Sequence, residues 1–115
     1  DLNSVAKEVR TTQGAEAKYL LAECYYQLNA IDTAEQEILS FTQQQTSHQY
    51  WLAKSLILLA DINITKNELF QAKQYLLALQ NNYKQSDDIA QIIVSKLDRI
   101  AQLEKSEITD TTPNE

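Results

Sequence analysis

Apolar residues recur every three or four positions along the first part of the chain, which is the period of a helix buried on one side. The first series consists of Ala15, Leu21, Ala22, Tyr25 and Leu28. The second series consists of Ala34, Ile38, Leu39 and Phe41, and it ends near Gln44. Between them, Asn29 can take the left-handed conformation that ends a helix, and Asp32 can help to cap the next one. The pattern predicts two helices joined by a short turn.

The same pattern returns 38 residues later, with no gap when the chain is aligned against itself. The identical pairs include Ala15 with Ala53, Leu20 with Leu58, Leu21 with Leu59, Ala22 with Ala60, Asn29 with Asn67, Ala34 with Ala72 and Leu39 with Leu77. The repeat predicts a second pair of helices, in which Thr46 or Ser47 caps a helix that ends near Lys66. Its partner helix is expected to run from about Glu68 to Asn82.

A partial third unit follows, because the same shift relates Leu59 to Leu97. Asp87 or Asp88 is expected to start a last helix that ends near Lys105. The chain is therefore predicted to be one all-α domain, in which stacked helical hairpins share a continuous core. Its parts are the end of a preceding repeat helix at 1–10, a hairpin at 11–46, a second hairpin at 47–86, a capping helix at 87–105 and a disordered tail at 106–115. Because the chain opens inside a helical pattern, we expect it to be a piece of a longer protein.

Composition and charge exclude several classes. The single Gly14 and single Pro113 are too few for the turns of an all-β fold or the connections of a doubly wound α/β fold. The formal charge is −6 and the basic residues are scattered, which disfavours nucleic-acid binding. The longest apolar run, Ser55–Ala60, stops at Asp61 and falls short of the ~18 residues of a membrane span. We therefore expect neither nucleic-acid binding nor membrane insertion.

The sequence offers few residues that could act in catalysis or bind a cofactor. His48 is the only histidine, and a role in capping or packing at a helix start is expected rather than catalysis. Cys24 occupies the position that Ile62 holds one repeat later, so we expect a buried thiol. One glycine cannot make a Gly-rich phosphate loop. The sequence predicts no enzyme, no cofactor and no metal site.

The acidic pairs are expected to have structural roles. Adjacent residues of a helix point in different directions, so Asp87 and Asp88 are better interpreted as a cap at a helix start than as a catalytic pair. Glu35 and Glu37 are expected on the solvent side of their helix. Neither pair indicates a catalytic site.

The order of residues in both units resembles the tetratricopeptide repeat (TPR) family. The residues that carry the resemblance are Leu21-Ala22, Tyr25, Ala34, Ile38 and Phe41 in the first unit, and Leu56, Leu59-Ala60, Ala72, Leu76 and Leu79 in the second. The resemblance implies a right-handed α-solenoid. Small residues, such as Ala22 and Ala34, would face each other where the helices of a hairpin cross.

The sequence also departs from the family pattern. Lys18 replaces the leading bulky residue of the first unit, and Asn63 replaces the aromatic residue of the second. The period of 38 exceeds the usual 34, which implies about one extra helical turn in each unit. The chain also resembles exported bacterial TPR proteins, which implies a periplasmic or exported location, with a cytoplasmic one left open.

The resemblance implies that the first helix of each hairpin lines a concave surface that holds another protein or a peptide. The candidate residues are Glu16, Tyr19, Glu23 and Tyr26, with Gln27, in the first unit, and Lys54, Ile57, Asp61 and Ile64, with Thr65, in the second. Aromatic and apolar side chains on a side that should see solvent favour a partner site. Glu23 and Asp61 would give it an acidic centre, which disfavours the TPR grooves that grip a carboxylate.

Three alternatives stay open. Tyr19, Ile57 and Ile64 can instead pad the contact between adjacent first helices. Trp51, beside Tyr50, can form a second patch or pack near Phe41 on the preceding helix. The whole chain can be a structural capping segment that associates with itself through exposed residues near its start, such as Leu2, Val5 and Val9.

Overall fold

The computed structural model describes residues 12–44 and 48–111. This part of the chain contains five α-helices and no strand: α1 Thr12–Gln27, α2 Ile31–Gln43, α3 Gln49–Thr65, α4 Leu69–Asn82 and α5 Ile89–Thr111. The all-α class is therefore confirmed. The expected helix at 1–10 lies outside the described residues. The last helix continues six residues beyond the predicted end at Lys105, so the tail predicted from residue 106 is helical as far as Thr111.

An asparagine with a left-handed backbone follows α1, and another follows α3. Asn29 and Asn67 have positive φ angles of 64° and 62°, which short polar side chains tolerate better than branched ones. The amide of the residue after each one reaches back five positions. Ala30 donates to the Tyr25 carbonyl at 2.8 Å, and Glu68 donates to the Asn63 carbonyl at 2.7 Å. These are Schellman motifs, which satisfy carbonyls at a helix end, and they confirm the predicted turns.

The predicted helix starts are only partly right. The cap of α2 is Ala30, with no side-chain hydrogen bond, and Asp32 lies inside the first turn, so its predicted capping role is wrong. The cause is the Schellman turn, which brings the chain into α2 immediately after Ala30. The cap of α3 is His48, and the predicted caps Thr46 and Ser47 lie outside the described residues. At α5 the prediction is confirmed, because Asp87 Oδ1 accepts the amide of Ile89 at 3.0 Å.

Helix α3 is buried on more than one side and belongs to two core clusters. The first cluster joins α1, α2 and α3, and contains Tyr19, Ala22, Ala34, Ile38, Leu58, Leu59 and Ile62. The second joins α3, α4 and α5, and contains Ala53, Ile57, Ala60, Leu69, Ala72, Leu76, Ile89, Ile93 and Ile100. A helix that is apolar all round is expected to be central. Each predicted pair of small residues lies within one cluster, as expected where two helices cross closely.

Two apolar residues lie where the sequence did not predict them. Leu28 is 77% exposed because it follows the last residue of α1 and has left the helical face. Cys24 is exposed, so the expected buried thiol is wrong. Its repeat counterpart Ile62 is covered by α1 and α2, whereas no described helix precedes α1 to cover Cys24.

Two lysines, one in α1 and one just after α3, make ion pairs with the acidic residues of α2. Lys18 Nζ lies 2.7 Å from Glu37, and Lys66 Nζ lies 2.8 Å from Glu35 and 3.4 Å from Asp32. Glu35 and Glu37 are therefore partly buried, and their expected place on the solvent side is wrong. Lys18 is an ion-pair partner between α1 and α2.

Candidate partner-binding groove

A groove runs along the side where α1, α3 and α5 lie next to one another. Helix α1 contacts α3, and α3 contacts α5. The groove has a volume of about 200 Å³ and is lined by Tyr19, Glu23, Tyr26, Gln27, Lys54, Ile57, Leu58, Asp61, Ile92 and Lys96. The three helices supply these residues because helix periodicity returns a side chain to the same face every three or four positions.

Most of the candidate residues from the sequence come together here. Tyr19, Glu23, Tyr26, Lys54, Ile57 and Asp61 all line the groove, as does Gln27. Glu16, Ile64 and Thr65 do not line it, and Ile64 instead packs against the second core cluster. That these residues bind a partner stays a prediction.

Helix α5 also contributes to the groove, which was not expected from the sequence. Ile92 and Lys96 line the groove, and they lie 38 residues after Lys54 and Leu58. Continuing the repeat shift into the third unit was the signal that could have found them.

Two candidate residues are more buried than expected. Tyr19 is 9% exposed and Ile57 is 5% exposed, so the expectation that both would see solvent is wrong. Tyr19 belongs to the core cluster between α1, α2 and α3, and Ile57 to the cluster between α3, α4 and α5. They form the floor of the groove, as the padding alternative predicted.

The hydroxyl of Tyr19 connects the buried floor of the groove to Glu23. It donates a hydrogen bond to Glu23 Oε2 at 3.0 Å, and Lys54 Nζ lies 5.5 Å from the centroid of the Tyr19 ring. Burial, and secondly the bond to Glu23, raise the pKa of the Tyr19 hydroxyl well above its ordinary value near 10. The hydroxyl therefore stays protonated and keeps Glu23 in place.

The groove is charge-balanced, and the prediction of an acidic centre is wrong. Lys96 Nζ lies 2.9 Å from Asp61 Oδ1, and Lys54 lines the same groove as Glu23. The charged lining residues are two acids, Glu23 and Asp61, and two lysines. The pairing of Lys96 with Asp61 depends on the contact between α3 and α5.

A hydrogen bond between Tyr26 and Thr65, beside the groove, ties α1 to α3. The Thr65 hydroxyl donates to the Asp61 carbonyl oxygen at 3.0 Å. Its only proton is therefore used, so the Tyr26 hydroxyl must be the donor in the 3.1 Å contact with Thr65 Oγ1. Tyr26 is only partly buried, so its ring remains available to a ligand.

The second aromatic candidate, Trp51, packs near Phe41, one of the two positions expected from the sequence. It lies against the cluster of Ala15 and Phe41, and its ring centroid is 5.8 Å from that of Tyr19 and 5.0 Å from that of Tyr50. Packing near Phe41 is confirmed. Trp51 also lines a separate cleft at the start of α3.

Within residues 12–44 and 48–111, no group of three or more His, Cys, Asp or Glu side chains is arranged to hold a metal ion. None of the helices in the described part is both long and apolar enough to cross a membrane. Comparison of the chain with protein-family models, with curated proteins and with solved structures finds no match.

Proposed function

We propose that this chain is a protein-interaction module, built as a right-handed stack of helical hairpins of the TPR kind. In this proposal a peptide or domain of a partner protein lies along the groove of α1, α3 and α5. The observation that carries the proposal is the convergence of side chains from α1, α3 and α5, three alternate helices that each follow the previous one by one repeat, on one groove. A purely structural repeat would not need partly exposed aromatic and charged side chains at that place.

The geometry also suggests what the partner presents. A volume of about 200 Å³ is small beside the ≈ 300–1,000 Å³ of drug-sized pockets, so it suits one or two side chains of a longer ligand. The buried Tyr19 and Ile57 offer an apolar floor, while the paired charges of Lys96 and Asp61 leave little net field. We infer a partner segment with a neutral, apolar or aromatic anchor residue.

Peptides selected from a random library on the immobilised chain test the proposal. The double variant Tyr26→Ala and Gln27→Ala removes two accessible groove residues while leaving Tyr19 and Ile57 in the core. We expect selected peptides to lose at least about tenfold in affinity, because anchor contacts dominate such interfaces. A matched variant, Gln74→Ala and Tyr75→Ala, removes the same residue types from the exposed face of α4 and should bind normally.

Circular dichroism verifies that both variants fold. Selected peptides that bind the groove variant as tightly as the unmodified chain would overturn the proposed site. Peptides that depend instead on Gln74 and Tyr75 would move the binding surface to α4.

A second candidate function is self-association as a structural segment of a longer array. Phe70 is 69% exposed and Tyr75 is 38% exposed on α4. Their counterparts 38 residues earlier are Asp32 and Glu37, so the repeat itself does not require apolar residues there. Sedimentation at increasing concentration separates the two candidates, because a strict monomer contradicts self-association.

A further inference from the structure

A second cleft lies where α3 begins and the chain passes from α4 to α5. Its volume is about 460 Å³, and it is lined by His48, Gln49, Tyr50, Trp51, Tyr83, Gln85, Ser86 and Asp87. Three of these residues are aromatic. The repeat does not account for Tyr50 and Trp51, because Thr12 and Gln13 stand at the corresponding positions 38 residues earlier.

Carboxylates flank the aromatic rings. The Tyr83 hydroxyl donates to Asp87 Oδ2 at 2.6 Å, and the Tyr50 hydroxyl donates to Asp88 Oδ2 at 3.3 Å. Asp87 Oδ1 accepts the amide of Ile89, so both of its oxygens are fixed by donors. Burial, followed by these hydrogen bonds, raises the pKa of both tyrosine hydroxyls. The two phenols therefore remain neutral and hold the carboxylates beside the cleft.

The electrostatics of the cleft favour a cation. No lysine or arginine stands among the eight described residues that line it. The starts of α3 and α5 each contribute about half a positive charge, which the two full charges of Asp87 and Asp88 outweigh. The aromatic rings of the lining can add attraction, since a ring quadrupole presents its negative face to a cation within about 6 Å.

We propose that this cleft binds an organic cation, a guanidinium or alkylammonium group, between the rings of Tyr50, Trp51 and Tyr83 and the carboxylate of Asp87. This site shares no lining residue with the groove of α1, α3 and α5, so it is tested separately from the proposed function.

Trp51 supplies the measurement, because it is the only tryptophan of the chain. Its fluorescence is followed while tetramethylammonium or methylguanidinium is added at constant ionic strength. The neutral counterparts of similar shape are tert-butanol and N-methylurea. We expect a saturable change with at least one cation and none with its neutral counterpart. The cation that binds more tightly identifies the class, quaternary ammonium or guanidinium.

Variants connect the signal to the cleft. Asp87→Asn combined with Asp88→Asn keeps residues that can cap α5 while removing two charges, and should weaken cation binding at least tenfold. Tyr83→Leu should weaken it as well. Asp98→Asn is the control, since Asp98 is an exposed residue of the same helix and lies outside the cleft; it should leave binding unchanged.

Three results would overturn the proposal. They are no saturable signal with either cation, an equal signal with the neutral counterparts, and an equal loss of binding in Asp98→Asn and in the cleft variants. Circular dichroism of each variant shows whether a lost signal reflects the cleft or the fold. If Tyr83→Leu unfolds, the asparagine variants decide alone.

Discussion

At the scale of single residues, tyrosine hydroxyls donate hydrogen bonds to carboxylates both in the groove and in the cleft at the start of α3. Tyr19 donates to Glu23 and Tyr83 donates to Asp87. In each case burial is the largest cause of a raised pKa, and the hydrogen-bonded carboxylate is the next. Ionising such a phenol would place two negative charges side by side.

These shifts predict how stability depends on pH. The unfolded chain ionises its tyrosines near pH 10, whereas folded Tyr19 and Tyr83 keep their protons to higher pH. The stabilising contribution is therefore complete below about pH 10 and is lost as the pH rises through the folded pKa. We expect the free energy of unfolding to fall above pH 10, measured by chemical denaturation. The double variant Tyr19→Phe and Tyr83→Phe should fall less steeply. An unchanged slope in that variant would contradict the assignment.

A buried amide marks a local conflict between sequence and packing. Asn63 is 4% exposed, and its Nδ2 has no hydrogen-bond partner among the described residues. An unpaired buried donor costs about 1–3 kcal/mol. Its backbone carbonyl accepts the amide of Glu68 in the turn after α3. Asn63 stands where the first unit has Tyr25, so the departure from the repeat pattern is also a departure from good packing.

At the scale of helices, a side chain is buried only where a neighbouring helix covers it. Cys24 in α1 and Ile62 in α3 occupy the same repeat position, yet Ile62 is fully buried and Cys24 is exposed. Helices α1 and α2 cover Ile62, whereas no described helix lies on the corresponding side of α1.

This contrast gives a matched pair of substitutions. Ile62→Ala should lower the free energy of unfolding by about 2–5 kcal/mol, because it leaves a cavity in the core. Cys24→Ala should change it by less than about 0.5 kcal/mol, as is usual at exposed positions. Both are measured by urea denaturation. Equal effects at the two positions would mean that Cys24 is covered in solution by a part of the chain or by another copy.

The features of the fold that could be predicted from the sequence are the local ones. The repeat located the described helices and their turns, because apolar period and left-handed asparagines are local features. It also brought most of the groove residues together, since they share one helix face. It could not predict the burial of Tyr19 or the exposure of Cys24, because neither depends on period alone. The pairing of Lys96 with Asp61 required knowing that α5 lies against α3.

At the scale of the whole molecule, α3 links the two core clusters. It supplies Leu59 and Ile62 to the first core cluster, and Ile57 and Ala60 to the second. Lys66, just after α3, adds ion pairs to Asp32 and Glu35 of α2. In repeat proteins each unit is stabilised mainly by its neighbours, so we expect a helix shared by two core clusters to make them unfold together.

Hydrogen exchange can test this coupling. We expect the amides of α3 to exchange most slowly of the five helices, because opening them requires loss of both core clusters. Leu59→Ala, which touches only the first cluster, should reduce protection in α1 and α2 and also in α4 and α5. Leu76→Ala, in α4, should likewise reduce protection in α1 and α2, although less. If Leu59→Ala leaves α4 and α5 fully protected, the two helix pairs are independent, and a groove that spans α1, α3 and α5 would lack a rigid base.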